Sequence, residues 1–306
     1  MKIVVLSLAV VFCVAAGRAE KNPVVFPLLD RTACAAVAGD GTAALSGLDA
    51  LGANPAGLAD APRQWNANYR QLPLSTRLAA TAIALPVGRS RWTGAMSYSS
   101  LSSEGLEKRD AAGVRGGEFR QEDQTAGLHL GGTVGMGRGS LDLGIGVKFL
   151  SSRIDRYGGS GMAFDAGART RFSEIPLTVS AAVLNWGQGP QLLDERSPLP
   201  SSVGLAAAYQ PSRSFSVFGG ATHFSNGGSF SLSGGAEYFI ANVLALRGSY
   251  TAGSDSDGNQ GLGQLVGGFG VRFGNARLDY AFQPAGEELS DAGVGATQHA
   301  TLTYEF

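Results

Sequence analysis

Charged residues are scarce in this chain. Asp, Glu, Lys and Arg make up 16% of its 306 residues, against roughly 25% in a typical soluble domain. The formal net charge is −1, so no basic surplus predicts a nucleic-acid partner. A chain this low in charge, with 45 glycines and no low-complexity tract, is unusual for a soluble enzyme. It suits a membrane barrel, whose outer face meets lipid.

Cysteines and catalytic motifs are scarce as well. Cys13 and Cys34 are the only cysteines, and Cys34 alone would remain after the export processing predicted below. The three histidines are scattered, and no metal-ligand or nucleophile motif accompanies them. We therefore predict no enzyme activity, no cofactor and no metal site. Since Cys34 lies among small residues, we expect it to be a packed thiol.

The sequence has no hydrophobic run long enough for a transmembrane helix. An apolar stretch begins at Ile3 and covers about 14 residues, short of the roughly 20 that a spanning helix needs. Lys2 precedes it, and small residues lead to Ala19. This order is typical of a secretory signal peptide, so we predict that residues 1–19 are removed on export.

From Gln64 to the end, apolar and polar residues alternate in segments of about ten residues. In one of them Leu141, Leu143 and Ile145 alternate with Asp142 and two glycines. This period of two predicts strands with one apolar face. The predicted strands are 64–70, 77–87, 92–100, 123–134, 140–151, 161–172, 176–186, 201–210, 214–222, 229–239, 242–251, 262–273, 276–284 and 297–306.

The predicted connections between these strands alternate in length. Short turns follow every second strand, and most of the other connections are longer. The longest is the charged segment Glu104–Asp123, which we expect to be a solvated outer loop or a docking surface. A soluble propeller or sandwich has no reason to sort loop length by side. We therefore predict an all-β fold over residues 63–306, a transmembrane antiparallel up-and-down β-barrel of about 14 strands with both termini in the periplasm.

The last ten residues, TQHATLTYEF, alternate up to the final aromatic. A barrel leaves unpaired strand edges in lipid unless its last strand pairs with its first. We therefore expect this segment to close the barrel. Tyr304 and Phe306 also resemble the C-terminal signal of bacterial outer-membrane proteins, which implies recognition by the barrel-assembly machinery.

The polar faces of the strands would point into the barrel. The charged residues that we expect to line the lumen are Lys148, Asp165, Arg169, Arg171, Glu237, Arg247, Arg272, Arg277 and Asp279. They would line a hydrated pore or hold an internal plug. The segment 20–62 favours the plug, because it is rich in Ala, Gly and Leu and lacks the alternation. In it we expect Asn54 to cap a short helix that Pro55 begins.

Asn54, Pro55, Ala56, Gly57 and Leu58 form an Asn-Pro-Ala-Gly-Leu box, followed by a short spacer and a first strand with Trp and Tyr. This arrangement resembles the outer-membrane barrels of the long-chain fatty-acid transporter (FadL-like) superfamily, and within it most closely the PorV/PorQ family. The resemblance implies a fourteen-stranded barrel with the box in a short N-terminal helical plug, or hatch.

These observations leave three functions open. The chain would be a passive transporter or channel for hydrophobic compounds, a PorV-like scaffold or shuttle for secreted or surface proteins, or a structural barrel without transport. In each case we expect it in the outer membrane of a Gram-negative-type bacterium. The expected partners are outer-membrane lipid, the barrel-assembly machinery, and either hydrophobic small molecules or secreted proteins.

Overall fold

Fourteen antiparallel strands form one closed barrel. The computed structural model describes residues 26–29, 32–59, 61–73, 75–88, 90–109, 113–136, 139–225, 228–254, 260–285 and 295–306, and the predicted signal peptide lies outside them. The strands are β1 (Gln64–Leu72), β2 (Thr76–Pro86), β3 (Trp92–Arg109), β4 (Arg115–Met136), β5 (Gly139–Ile154), β6 (Tyr157–Phe172), β7 (Leu177–Gln188), β8 (Gln191–Leu192), β9 (Glu195–Arg196), β10 (Ser202–Ser212), β11 (Phe215–Phe224), β12 (Phe230–Ile240), β13 (Leu244–Ser254), β14 (Gln260–Phe273), β15 (Ala276–Gln283) and β16 (Thr297–Glu305).

The barrel strands pair in chain order. β8 and β9 form a separate two-stranded sheet, so β7 pairs with β10. All fourteen strands predicted from the alternation are present. We call the end of the barrel at which β1 begins and β16 ends the terminal end, and the opposite end the loop end.

The last strand closes the barrel against the first, as predicted. Trp65 of β1 lies opposite Tyr304 of β16. The backbone N–H of Phe306 donates to the carbonyl oxygen of Arg63 at 3.0 Å. The hydrogen bonds of the first and last strands are therefore satisfied down to the final residue, and no sheet edge is left open at this seam.

The two faces of each strand differ in the way the alternation predicts. On β5, Asp142 and Lys148 point inward and are buried, whereas Leu143, Ile145 and Phe149 point outward and are exposed, Ile145 by 61%. The outer surface carries such apolar side chains on strand after strand. A belt of this size is unfavourable in water and suits contact with lipid.

The charged segment Glu104–Asp123 is not the loop that the sequence predicted. β3 continues to Arg109 and β4 begins at Arg115, and Leu106 pairs with Phe119 across them. β5 and β6 likewise extend through the predicted loop 152–160. Where both faces of a strand meet water, backbone pairing continues without apolar alternation, so the pattern ends before the strand does.

The N-terminal segment consists of short helices that contact the inner face of the barrel. They are the α-helices α1 (Phe26–Leu29) and α2 (Ala33–Ala38) and the 3-10 helices Thr42–Ala44, Gly47–Ala50 and Pro55–Leu58. Helix α2 contacts β12 to β16, and the last 3-10 helix contacts β3 to β6. These two groups of strands face each other across the ring, so the segment crosses the interior. Within the described ranges, no helix has the length and apolarity to cross a membrane.

Candidate functional site

The first group of interior charges joins three strands to the N-terminal segment. Arg247 Nη1 lies 2.6 Å from Asp279 Oδ1. Arg277 Nε lies 2.5 Å from Oδ2 of the same carboxylate. Arg247 also pairs with Glu237 of β12, and Arg277 pairs with Asp49 of the segment. Two arginines therefore alternate with three carboxylates, an arrangement that offsets the cost of burying each charge.

A second group lies on β4, β5 and β6. Asp142 accepts hydrogen bonds from Arg169 Nη2 and Arg171 Nη2, each at 2.9 Å, and from Thr133 Oγ1 at 2.7 Å. Arg169 Nη1 also donates to the carbonyl oxygen of Leu45 at 2.7 Å. This group therefore also ties the wall to the N-terminal segment.

Of the remaining predicted lumen residues, Lys148 and Asp165 belong to a third group, and Arg272 lies at the terminal end of the barrel. Lys148 Nζ lies 2.7 Å from Asp165 Oδ2 and 3.0 Å from Asn185 Oδ1, and all three side chains are buried. Arg272 is exposed at the terminal end, with its guanidinium 6.0 Å from the centre of the Phe239 ring. The structure thus brings eight of the nine predicted residues into three networks.

Three acidic residues with interior partners were missing from the sequence-based set: Asp142 and Asp49, described above, and Asp40, described next. Asp142 shares the inward face of β5 with Lys148, so the alternation could have identified it. Asp40 and Asp49 lie in the segment without alternation, where no local pattern relates them to the wall. Their partners are set by the closed barrel alone.

Asp40 binds a row of hydroxyl groups on the wall. Its carboxylate accepts hydrogen bonds from Thr222 Oγ1, at 2.6 Å, and from Ser231 Oγ. Its backbone N–H donates to Ser233 Oγ at 2.6 Å. Asp40 therefore anchors the end of α2 on β11 and β12 without a cationic partner among these contacts.

The Asn-Pro-Ala-Gly-Leu box is buried against β6 and β7. Asn54 Oδ1 accepts from the N–H of Ala56 at 3.0 Å, which is the predicted helix cap. Its Nδ2 donates to the carbonyl oxygens of Ala168 and Ala181, at 3.4 and 3.3 Å. Gly167 permits this approach, because a Cβ there would lie 2.0 Å from Asn54 Oδ1. Asn54 thus caps the 3-10 helix and attaches it to the wall.

A cavity of about 20 Å³ lies between the segment and the wall. Three buried atoms of its lining residues, Asp49 Oδ1, Asn66 Oδ1 and His129 Nδ1, have no hydrogen-bond partner among the described residues. Ser97 Oγ lies 3.1 Å from His129 Nε2 at the same place. The volume and the polar atoms suit an ordered water. The Ser–His pair has no space beside it for a substrate.

Cys34 lies on α2 of the N-terminal segment and is half-buried against the apolar residues around Phe218. Burial raises the pKa of its thiol, and the nearby Asp49 carboxylate raises it further. A thiol held in its neutral form is a weak nucleophile. The packed thiol expected from the sequence is therefore what this environment favours.

An apolar cluster occupies the interior at the loop end, and we call it the loop-end cluster. Its buried members are Phe26, Leu78, Leu101, Leu150, Ala163 and Leu199. Phe26 comes from the N-terminal segment, and Leu199 comes from the connection before β10. Beside it the β6–β7 register shifts between Phe164 and Ala166, and Asn185 has φ 55°. A bulge therefore interrupts the wall next to the apolar interior.

The fold resembles those of solved barrel structures. A FadL homologue from Pseudomonas aeruginosa is 13% identical, with a TM-score of 0.60 over 90% of this chain and 98% of that chain. The toluene transporter TodX from Pseudomonas putida is 12% identical, with a TM-score of 0.59 over 87% and 97%. Identities this low show the shared fold alone. No protein-family model and no curated protein matches the chain. The predicted closeness to the PorV/PorQ family stays a prediction.

Proposed function

We propose that this chain is an outer-membrane barrel that lets hydrophobic compounds cross, and that residues 20–62 are the plug that closes it. The fold shared with a toluene transporter and a FadL homologue supports this proposal. The apolar outer belt supports the membrane location. In this proposal the termini lie in the periplasm, so the loop end faces the outside.

The loop-end cluster is the observation that carries the proposal. A barrel that conducts polar solutes has a polar, hydrated interior. Here Leu78, Leu101 and Leu150 of the wall form an apolar cluster at the loop end, and Phe26 of the plug lies among them. The buried Asp123 beside Leu101 already accepts a hydrogen bond from Ser152. An apolar compound that displaced Phe26 would enter an apolar site and leave no buried hydrogen-bonding group unpaired.

Passage requires a rearrangement, because the N-terminal segment crosses the interior and packs against both sides of the wall. The bulge at Asn185 is the part of the wall at which we propose a side opening. The N–H of Asn185 donates to Asp165 Oδ1 at 2.8 Å, and Ser201 Oγ donates to its carbonyl oxygen at 2.7 Å. These bonds would hold the bulge shut until a compound displaces the apolar residues beside it.

Leu150→Gln tests the path, with Leu48→Gln as a matched control. Both leucines are buried, but Leu150 belongs to the loop-end cluster and Leu48 packs between the plug and the terminal half of the wall. We expect Leu150→Gln to lower uptake of a hydrophobic fluorescent dye by producing cells about tenfold, since an amide in an apolar site costs 1 to 3 kcal/mol. Leu48→Gln should not lower it. Equal losses in both variants would contradict an apolar path at the loop end.

The segment that crosses the interior also favours a second function, a structural barrel without transport. Dye uptake no faster than in cells lacking the protein would support that function over the first. A PorV-like scaffold for secreted proteins rests on the box residues alone and stays a prediction. Recognition of Tyr304 and Phe306 by the barrel-assembly machinery is part of the proposal for either membrane function.

A further inference from the structure

Two adjoining pockets lie at the loop end of the barrel wall, where β6 and β7 meet β8 and β9. The first, of about 570 Å³, is lined by Met162, Phe164 and Trp186 and reaches up to Arg196. Phe164 lies opposite Trp186 across the two strands, and Trp186 is 70% exposed. We call it the acyl pocket, because its apolar side chains face the surroundings of the barrel rather than the interior.

The second pocket, also of about 570 Å³, is lined by two positively charged side chains, and we call it the arginine pocket. Arg156 and Arg196 line it, and none of the described residues that line it is acidic. Arg196 is held in place by two neutral acceptors, Gln188 Oε1 at 2.7 Å and Gln191 Oε1 at 3.1 Å. These amides orient the guanidinium without neutralising its charge. Arg196 lines both pockets, so they are continuous.

The acidic residues that adjoin these arginines in the sequence do not line the pocket. Asp155 precedes Arg156, but its carboxylate lies 3.0 Å from Lys108 Nζ. Asp194 and Glu195 precede Arg196 and line neither pocket. The two guanidinium groups are therefore the charges that a ligand in the arginine pocket would meet.

The arginine pocket lies at the level where the apolar belt ends. Along the outer face of β5 and β6, Phe149 pairs with Met162, and the next outward pair is Ser151 with Ser160. Ser160 lines both pockets. The change from apolar to polar pairs marks the boundary between acyl chains and headgroups. The acyl pocket thus lies on the lipid side of this boundary, and the arginine pocket lies on the headgroup side.

We propose that the two pockets together bind one phosphate-bearing membrane lipid. Its phosphate pairs with Arg196 and Arg156, and one acyl chain lies along Met162, Phe164 and Trp186. Guanidinium groups bind phosphate oxygens through paired hydrogen bonds. An apolar groove that continues into a cationic pocket at the headgroup level matches the two halves of such a lipid and no other part of the bilayer.

Quenching of Trp186 fluorescence by brominated lipids tests this site. The full chain carrying Trp65→Phe and Trp92→Phe, with Trp186 as its sole tryptophan, is placed in phosphatidylcholine vesicles with a minor fraction of brominated phosphatidylglycerol or of brominated phosphatidylcholine. We expect stronger quenching by the anionic lipid. Each arginine near an anionic headgroup is worth about fivefold in affinity, so Arg196→Gln should lower this preference about fivefold.

Matched controls separate the site from a general attraction of anionic lipid. A chain with Trp65 as its sole tryptophan reports on the terminal end and should be quenched equally by both lipids. Arg213→Gln removes an exposed charge at the terminal end and should leave the preference at Trp186 unchanged. Equal quenching of Trp186 by the two lipids, or a preference that survives Arg156→Gln with Arg196→Gln, would overturn the proposal. Loss of the preference on adding inorganic phosphate would assign the arginines to free phosphate instead.

A second measurement keeps the proposal testable if the tryptophan variants do not fold. Native mass spectrometry of the wild-type chain, released from micelles that contain phosphatidylglycerol, should show one retained lipid. The Arg156→Gln, Arg196→Gln chain should lose it, and the Arg213→Gln chain should keep it. Equal retention by all three chains would refute the site.

Discussion

Asp49 ties the N-terminal segment to the wall by opposite charge. Its carboxylate pairs with Arg277, which also binds Asp279 within β15. Removing the Asp49 charge leaves Arg277 with one carboxylate rather than none. The loss should therefore be that of one charged hydrogen bond, about 1.5 to 3 kcal/mol.

Asp49→Asn should loosen the segment without opening the barrel. We expect faster cleavage of residues 32–59 by a protease added to the purified protein, while the temperature at which the barrel unfolds in sodium dodecyl sulfate changes little. Asp155→Asn is the matched control. Asp155 pairs with Lys108, and the two side chains are 41% and 57% exposed, respectively. Exposed ion pairs of this kind contribute little to stability. Equal protection in both variants would show that the Asp49 pair does not hold the segment.

At the scale of the element, the 3-10 helix Pro55–Leu58 depends on two functions of the Asn54 amide. Loss of the cap in Asn54→Ala should cost about 1 kcal/mol, and the carbonyl oxygens of Ala168 and Ala181 would lose the hydrogen bonds from Asn54 Nδ2. Asn54→Asp keeps the cap but places a carboxylate against those two oxygens. We therefore expect Asn54→Asp to increase protease cleavage of the segment at least as much as Asn54→Ala. A wild-type cleavage rate in Asn54→Asp would mean that the cap alone matters.

Strand β16 closes the barrel. Variants of its last residues distinguish closure of the barrel from its assembly into the membrane. Deleting Tyr304 to Phe306 removes the pair with Trp65 and the hydrogen bond to Arg63, so we expect no folded barrel in the outer membrane. Phe306→Ala keeps the backbone, and the Phe306 side chain is 53% exposed. The purified Phe306→Ala protein should unfold at the wild-type temperature but reach the membrane in lower amount. Wild-type membrane levels in the deletion would show that the end of β16 is dispensable.

The strands could be predicted from the sequence because lipid outside and polar groups inside impose the alternation. The loop-end parts of β3 and β4 could not be predicted in this way. Glu107 and Glu118 lie opposite each other on these strands beyond the apolar belt, where both faces of the sheet are polar. Strand ends beyond the belt carry no period-two pattern to read.

At the scale of the whole molecule, the site could be predicted only in part. Alternation placed Lys148, Arg247 and Asp279 on the inner face, and composition indicated that the segment 20–62 differs from the strands. The pairing of Asp49 with Arg277 joins positions 228 residues apart. No local pattern specifies such a pair, because the closed ring of strands brings the two side chains together.

The central claim is that the N-terminal segment closes the lumen and must move for a hydrophobic compound to pass. A reversible disulfide tests this most directly. A Cβ at Gly268 of β14 would lie 2.9 Å from Val37 Cγ2 of α2 and 2.6 Å from the carbonyl oxygen of Tyr280. The two positions are close enough for a disulfide once the wall shifts slightly to admit the new side chain. The double variant Val37→Cys, Gly268→Cys is made with Cys34→Ser, and each single cysteine variant serves as its control.

We expect oxidation of the double variant to stop uptake of the hydrophobic dye by producing cells, and a reducing agent to restore it. The single-cysteine variants should take up dye at the same rate with and without oxidant. Full uptake by the oxidised double variant, with the disulfide verified by mass spectrometry, would contradict the account, because a segment fixed to the wall would then not be a gate.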